Sequence, residues 1–115
     1  MINWKQLKSV NQLEEIVERS KEMPVLIFKH STRCSISSMA KFRLEDDWDF
    51  PASELEPYYL DLIAFRNISG AVADRFSIHH ESPQVLLIRN GECTFDASHL
   101  DISVSELHEV YSNTW

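Results

Sequence analysis

The chain has only two cysteines and two glycines in 115 residues, no apolar run near membrane-spanning length, and no surplus of basic residues. Each shortage excludes something. Cys34 and Cys93 cannot supply a disulfide framework, and a hydrophobic fraction of 43% is enough for a single core without staples or metal. Eleven Lys and Arg against eighteen Asp and Glu leave a net charge of −7. No basic stripe is available to displace counterions from phosphates, so nucleic acid is not an expected partner. No apolar segment approaches the roughly 20 residues needed to cross a bilayer. Met1-Ile2-Asn3-Trp4-Lys5 opens polar rather than as a basic and then apolar signal segment. The expectation is a cytoplasmic chain without membrane attachment, its thiols free at rest in a reducing compartment. With no repeats, low-complexity stretches or linkers, residues 1–115 are read as one domain.

A further absence marks the functional region. From Met23 to Leu44 there is no Asp or Glu, while Lys29, Arg33, Lys41 and Arg43 all fall there. Inside this window Lys29-His30-Ser31-Thr32-Arg33-Cys34-Ser35-Ile36-Ser37 places one cysteine where an apolar strand gives way to a helix. A thiolate at that point faces the free N–H groups of the first helical turn, which stabilises its charged form. Cys34 is therefore the candidate nucleophile. The surrounding cations are expected to favour the thiolate and to attract an anionic small thiol or client. Chance clustering of surface Lys and Arg is the bland alternative for the charge alone.

Hydropathy patterning predicts alternating elements. Leu7, Val10, Leu13, Ile16 and Val17 recur at helical spacing, with Asn11 as N-cap and Glu14 three residues on, and this helix ends before Pro24. Val25 to Phe28 reads as a buried strand. Ile36, Met39, Ala40 and Leu44 share one face of a second helix that fades in Glu45-Asp46-Asp47. Tyr58 to Leu62 reads as a strand, Asn67 or Ser69 caps a third helix carrying Ile68, Val72 and Phe76, and Val85 to Ile88 is the strongest strand. Asn90-Gly91 signals a type I′ hairpin into Cys93 to Ala97. A last helix starts near Ser103 and runs through Leu107 and Val110. This order predicts an α/β sandwich with parallel first strands, right-handed crossovers and an antiparallel terminal hairpin.

A cysteine after the first strand, a proline before the long strand and an Asn-Gly hairpin together resemble the thioredoxin fold. The expectation is a central mixed four-stranded sheet flanked by helices, with an extra N-terminal helix. Ser82-Pro83 corresponds to that fold's cis-proline, which sits against the active cysteine and exposes backbone for pairing with a substrate. More narrowly, Lys-His-Ser-x-x-Cys-x-Ile-Ser at Lys29 to Ser37 resembles the monothiol bacilliredoxin family, also called YtxJ-like, and the likeness runs from Trp4 to the final helix. Ser35 stands where that family usually has proline; it adds an N–H and a hydroxyl beside the sulfur and gives up the ring's fixed φ.

The resemblance implies a thiol-disulfide oxidoreductase that removes bacillithiol from protein mixed disulfides. Bacillithiol would be the co-substrate, S-thiolated proteins the clients, and no cofactor would be bound. Bacillithiol carries carboxylates, which Lys29 and Arg33 suit as a cationic patch. Ser37 occupies the second position of a Cys-x-x-Cys pair and cannot form a disulfide, so a single thiol works, with the Ser37 hydroxyl expected to bond the thiolate. The binding set is Lys29, His30, Arg33, Ser35, Ser82 and Pro83.

The remaining candidates carry less chemistry. His30 either assists the sulfur or merely packs and hydrogen-bonds. His79-His80-Glu81 and Cys34 are zinc-type ligands, yet no close paired spacing supports a site and no metal is expected. Cys93 lies five or six residues of strand away from the Pro83 end, beyond disulfide reach of Cys34, and reads as structural. His99 and His108 read as surface; Trp4, Phe28, Phe42, Phe65 and Phe76 read as core. The competing function is a thioredoxin-fold iron–sulfur or thiol-binding module without redox turnover. Proteins of that kind carry Cys-Gly-Phe-Ser and a glycine pair for glutathione, whereas this chain has only Gly70 and Gly91.

Overall fold

A computed structural model describes residues 2–113. The elements are β1 (Lys5–Gln6), α1 (Asn11–Arg19), β2 (Val25–His30), α2 (Ser35–Asp47), β3 (Glu56–Asp61), α3 (Arg66–Phe76), β4 (Gln84–Arg89), β5 (Glu92–Ser98), a 3-10 turn (His99–Asp101) and α4 (Val104–Asn113). They form one sheet in the order β1-β3-β2-β4-β5. β1, β3 and β2 run parallel, and β4 and β5 complete the sheet antiparallel. The α/β class and thioredoxin topology are as expected, but the strand count is five, not four. Lys5–Gln6 is too short and polar for a periodicity signal. It is fastened to β3 by the backbone and by Glu56, whose buried carboxylate binds Lys5 and, at 2.8 Å, Arg19 Nε. Burial pushes that carboxyl up, the two cations pull it down, and the net shift is downward.

Strand parity divides the core. Leu26, Phe28, Val85 and Leu87 pack on one side with Ala40 and Leu44 of α2 and Leu107 of α4. Val25, Ile27, Leu86 and Ile88 pack on the other with Leu13 and Ile16 of α1 and Val72 and Phe76 of α3. With helices on both faces, all six residues of β2 and all six of β4 are buried, which explains their unbroken apolar runs.

Several expected local features change in detail. Val10 rather than Asn11 is the N-cap of α1; the Gln12 side chain instead reaches back to accept the Lys8 and Ser9 amides at 2.6 and 3.0 Å. Phe65, not Asn67 or Ser69, is the N-cap of α3, and the Asp61 carboxylate accepts the Ile63 and Ala64 amides ahead of it. Ser103 does cap α4, accepting the Glu106 amide at 3.1 Å. The hairpin has the expected positive φ at Asn90 (51°) and Gly91 (81°), and Ser20 receives both turn amides. On α2 the buried positions are Ser37, Ala40 and Leu44, while Ile36, Met39 and Phe42 face outward. The expected common face of Ile36 and Met39 with Ala40 and Leu44, and the core placement of Phe42, are therefore corrected. Spacing places Ile36 and Met39 within one turn of Ala40, but the sheet covers only the side that holds Ser37, Ala40 and Leu44 and leaves Ile36 and Met39 on the open flank.

Candidate active site around Cys34

β2 runs into the middle of the sheet and stops at His30; four residues later α2 begins. Cys34 is the N-cap of α2, with extended backbone (φ −114°, ψ 122°), and is partly exposed. Its carbonyl accepts the Ser38 amide and its amide donates to the Ser31 carbonyl at 3.2 Å. The sulfur thus stands at the positive end of a 13-residue helix that has no acidic residue in its first turn.

Ser37, at the third helical position, is fully buried. Its hydroxyl lies 2.7 Å from His30 Nδ1 and accepts the Ser31 amide at 3.0 Å. Neither partner is the sulfur of Cys34, so the expected Ser37–thiolate bond is replaced by a clamp. That clamp joins the last residue of β2, the first residue of the loop and the first turn of α2. Ser31 has no sequence signal for this role, because it contributes only its backbone. His30 is also buried, stacked on Phe28 with centroids 5.7 Å apart and tilted against Tyr59 at 5.6 Å. Burial first, and the Lys41 charge second, hold its imidazole below the usual histidine range against the opposing pull of Asp61. At neutral pH the ring is uncharged, and its Nδ1 and the Ser37 hydroxyl share one hydrogen bond. Ser37→Ala leaves a buried amide and a buried ring nitrogen without partners; a loss of roughly 1–3 kcal/mol is expected, read from urea unfolding at pH 7.

The cationic island does not survive folding as a patch. Lys29 is fully buried. It has the parity of Val25 and Ile27, so it points to the α1/α3 side, away from α2, and its Nζ lies 3.1 Å from His80 Nδ1. Its expected role in binding a thiol's carboxylates is therefore corrected, and strand alternation alone carried the signal. Burial drives its ammonium pKa down to about 8. Lys41 is paired with Glu45 at 2.7 Å, and Glu45 also accepts from Trp4 Nε1 at 2.8 Å. Arg43 donates to the carbonyls of Ile102 and Leu100. Arg33 is exposed, with no ion pair among the described residues, and so is the one island cation left beside the sulfur. Ser35 is exposed next to it.

The second wall comes from β4. Lys29 pairs with Gln84, which brings Ser82-Pro83 to the same sheet end as His30 and Cys34, and the Ser82–Pro83 bond is cis. Pro83 is buried and its carbonyl accepts the His99 amide at 3.0 Å. The Ser82 hydroxyl is buried without a partner among the described residues. His80 turns the other way, towards Lys29 and Ser69 Oγ at 3.3 Å. Cys93 pairs with Ile88, whose partner on β2 is Val25. Five residues of strand, roughly 17 Å, separate that level from His30. Burial pushes the Cys93 thiol up to about 11.

A family model described as monothiol bacilliredoxin BrxC matches residues 5–107. The chain belongs to the monothiol bacilliredoxin family. A solved structure described provisionally as an oxidoreductase with a thioredoxin fold is 33% identical, covers 90% of this chain and 89% of its own, and superposes with a TM-score of 0.75. Thioredoxins from Malassezia sympodialis (18% identity, 97% and 90% covered, TM-score 0.72) and Schistosoma mansoni (19%, 96% and 96%, TM-score 0.62) share the fold. This bacilliredoxin is accordingly a thioredoxin-like thiol oxidoreductase. Among its described residues no helix is long and apolar enough to cross a membrane.

Proposed function

We propose that this bacilliredoxin removes bacillithiol from cytoplasmic proteins that carry it as a mixed disulfide, using Cys34 alone. The observation that carries the reading is a partly exposed cysteine at the N-cap of α2 with a buried serine, not a second thiol, three residues on.

The Cys34 thiolate attacks the bacillithiol sulfur of the client disulfide. The client sulfur–bacillithiol bond breaks, a Cys34–bacillithiol disulfide forms, and the client cysteine leaves as a thiolate that takes a proton from water. A second low-molecular-weight thiol then attacks the bound bacillithiol sulfur, forming a small disulfide and returning the Cys34 thiolate. No internal thiol can intercept the intermediate, because Ser37 is not a nucleophile and Cys93 is remote and protonated. The Arg33 guanidinium, free of carboxylates, is the group suited to bacillithiol's carboxylates. The Ser82 backbone, which makes no other hydrogen bond among the described residues, is the edge for pairing with the client. Ser35 flanks the sulfur, and the His30–Ser37 clamp positions it.

Whole-protein mass spectrometry after mixing with oxidised bacillithiol, and separately with oxidised glutathione, tests this. The expected result is one bacillithiol adduct, located on Cys34, formed faster than any glutathione adduct. No adduct, or one on Cys93, overturns the proposal.

A further inference from the structure

Of the five large apolar side chains that stand exposed among the described residues, three lie on α2, the others being Val10 before α1 and Leu100 in the 3-10 turn. Ile36, Met39 and Phe42 of α2 are 41%, 55% and 66% exposed. At intervals of three residues they form a continuous strip along the helix, starting two residues after Cys34. Leu100, 67% exposed, is brought to the same flank because Arg43 of α2 holds the carbonyls of Leu100 and Ile102. Buried cores do not need these residues, and a soluble chain does not ordinarily leave a patch of this kind uncovered beside its reactive group.

The far end of the strip specifies chemistry. Phe42 forms a groove of about 590 Å³ with Ile2, Glu45 and Asp46. Glu45 is already taken by Lys41 and Trp4. Asp46 and its neighbour Asp47 are exposed with no ion pair among the described residues. An apolar wall ending at a free carboxylate matches a lysine or arginine side chain, with its stem on Phe42 and Ile2 and its charge at Asp46. About 12 Å of helix separates Cys34 from Phe42, a span suited to a second protein surface. A second copy of this chain would bring a like net charge of −7 to an acidic rim.

We propose that the Ile36–Met39–Phe42 strip is the docking surface for the protein half of the mixed disulfide. The partner presents an apolar ridge bordered by lysine or arginine. This rests on the reaction assigned to Cys34 above and adds what selects the client.

The test compares two disulfides: a bacillithiolated, lysine-rich protein and the mixed disulfide of bacillithiol with free cysteine. With the double variant Met39→Ser/Phe42→Ser, release of bacillithiol from the protein is expected to slow about tenfold, in the range of a docking hot spot. Release from the small disulfide is expected to stay within about twofold of wild type. Asp46→Lys is expected to slow the protein reaction alone, by several-fold at low salt. Undiminished protein rates in these variants, or equal losses on both disulfides, overturn the docking surface while leaving the reaction standing. A wild-type chain that exchanges with neither disulfide overturns the reaction and the docking surface with it. Sedimentation showing a dimer that dissociates in the double variant reassigns the strip to self-association and overturns the client assignment.

Discussion

Cys34→Ser is expected to abolish bacillithiol transfer completely while leaving the fold intact. A hydroxyl at this position has neither the nucleophilicity nor the leaving ability that disulfide exchange requires, and nothing else can substitute. Cys93 packs against the α1/α3 core, at the far end of the sheet from His30, with its thiol held protonated to about pH 11. Ser37 is buried in the clamp with His30 and Ser31. The structural consequence runs in the opposite direction. Cys34 makes no side-chain hydrogen bond as N-cap of α2, whereas serine is a favoured N-cap whose oxygen accepts an amide of the first turn. A gain of up to about 1 kcal/mol is therefore expected. Transfer falling to the uncatalysed rate, together with an unchanged or raised midpoint in urea, is the predicted pair of results. Residual transfer of even a tenth of the wild-type rate assigns the chemistry to another thiol.

The second large effect is one of stability, at Lys29. Its ammonium is buried in the sheet, and its pKa falls from the ordinary 10.5 to about 8. Across that interval the unfolded chain holds a proton on Lys29 that the folded chain has given up. Stability therefore rises with pH from about 8 towards 10.5, and the cost of burying the charge is fully present below 8. The burial cost this implies is roughly 3 kcal/mol. Lys29→Met removes the charge at similar volume and forfeits one hydrogen bond to His80, worth about 1 kcal/mol. A net gain of roughly 2 kcal/mol at pH 7 is expected, shrinking as pH rises. Cys93 works the other way: its thiol goes from an ordinary 9.0 to about 11, so it costs stability above pH 9. The clean window is pH 8 to 9, where urea midpoints of wild type should rise and those of Lys29→Met should stay flat. Parallel pH profiles for the two proteins would show that the Lys29 ammonium carries no such penalty.

Resemblance to a known family supplied the thioredoxin-like class and the cis-proline position, whereas the residues by themselves determined the order of the main elements, the hairpin at Asn90-Gly91 and the location of the thiol at a strand-to-helix junction. The latter follow from short-range rules. Unbroken apolar runs mark strands covered on both faces, positive φ at two adjacent turn residues selects Asn-Gly, and a lone cysteine before a helix meets free amides whatever surrounds it.

Only the tertiary structure decided where side chains face and which charges remain available. The acid-free window looked like a cationic patch because sequence distance counts Glu45 as outside it, yet one helical turn brings Glu45 to Lys41. Lys29, Lys41 and Arg43 are spent on a histidine, a carboxylate and two carbonyls, leaving Arg33 beside the sulfur. Ser37, expected to touch the sulfur, instead bonds His30 and Ser31. Its place three residues into α2 fixes which turn it occupies, but the sheet beneath fixes which polar group it meets. The fifth strand and the outward strip of α2 were likewise hidden. Two polar residues become a strand only when β3 offers them an edge, and Phe42 is exposed only because Ala40 and Leu44 already fill the space under the helix.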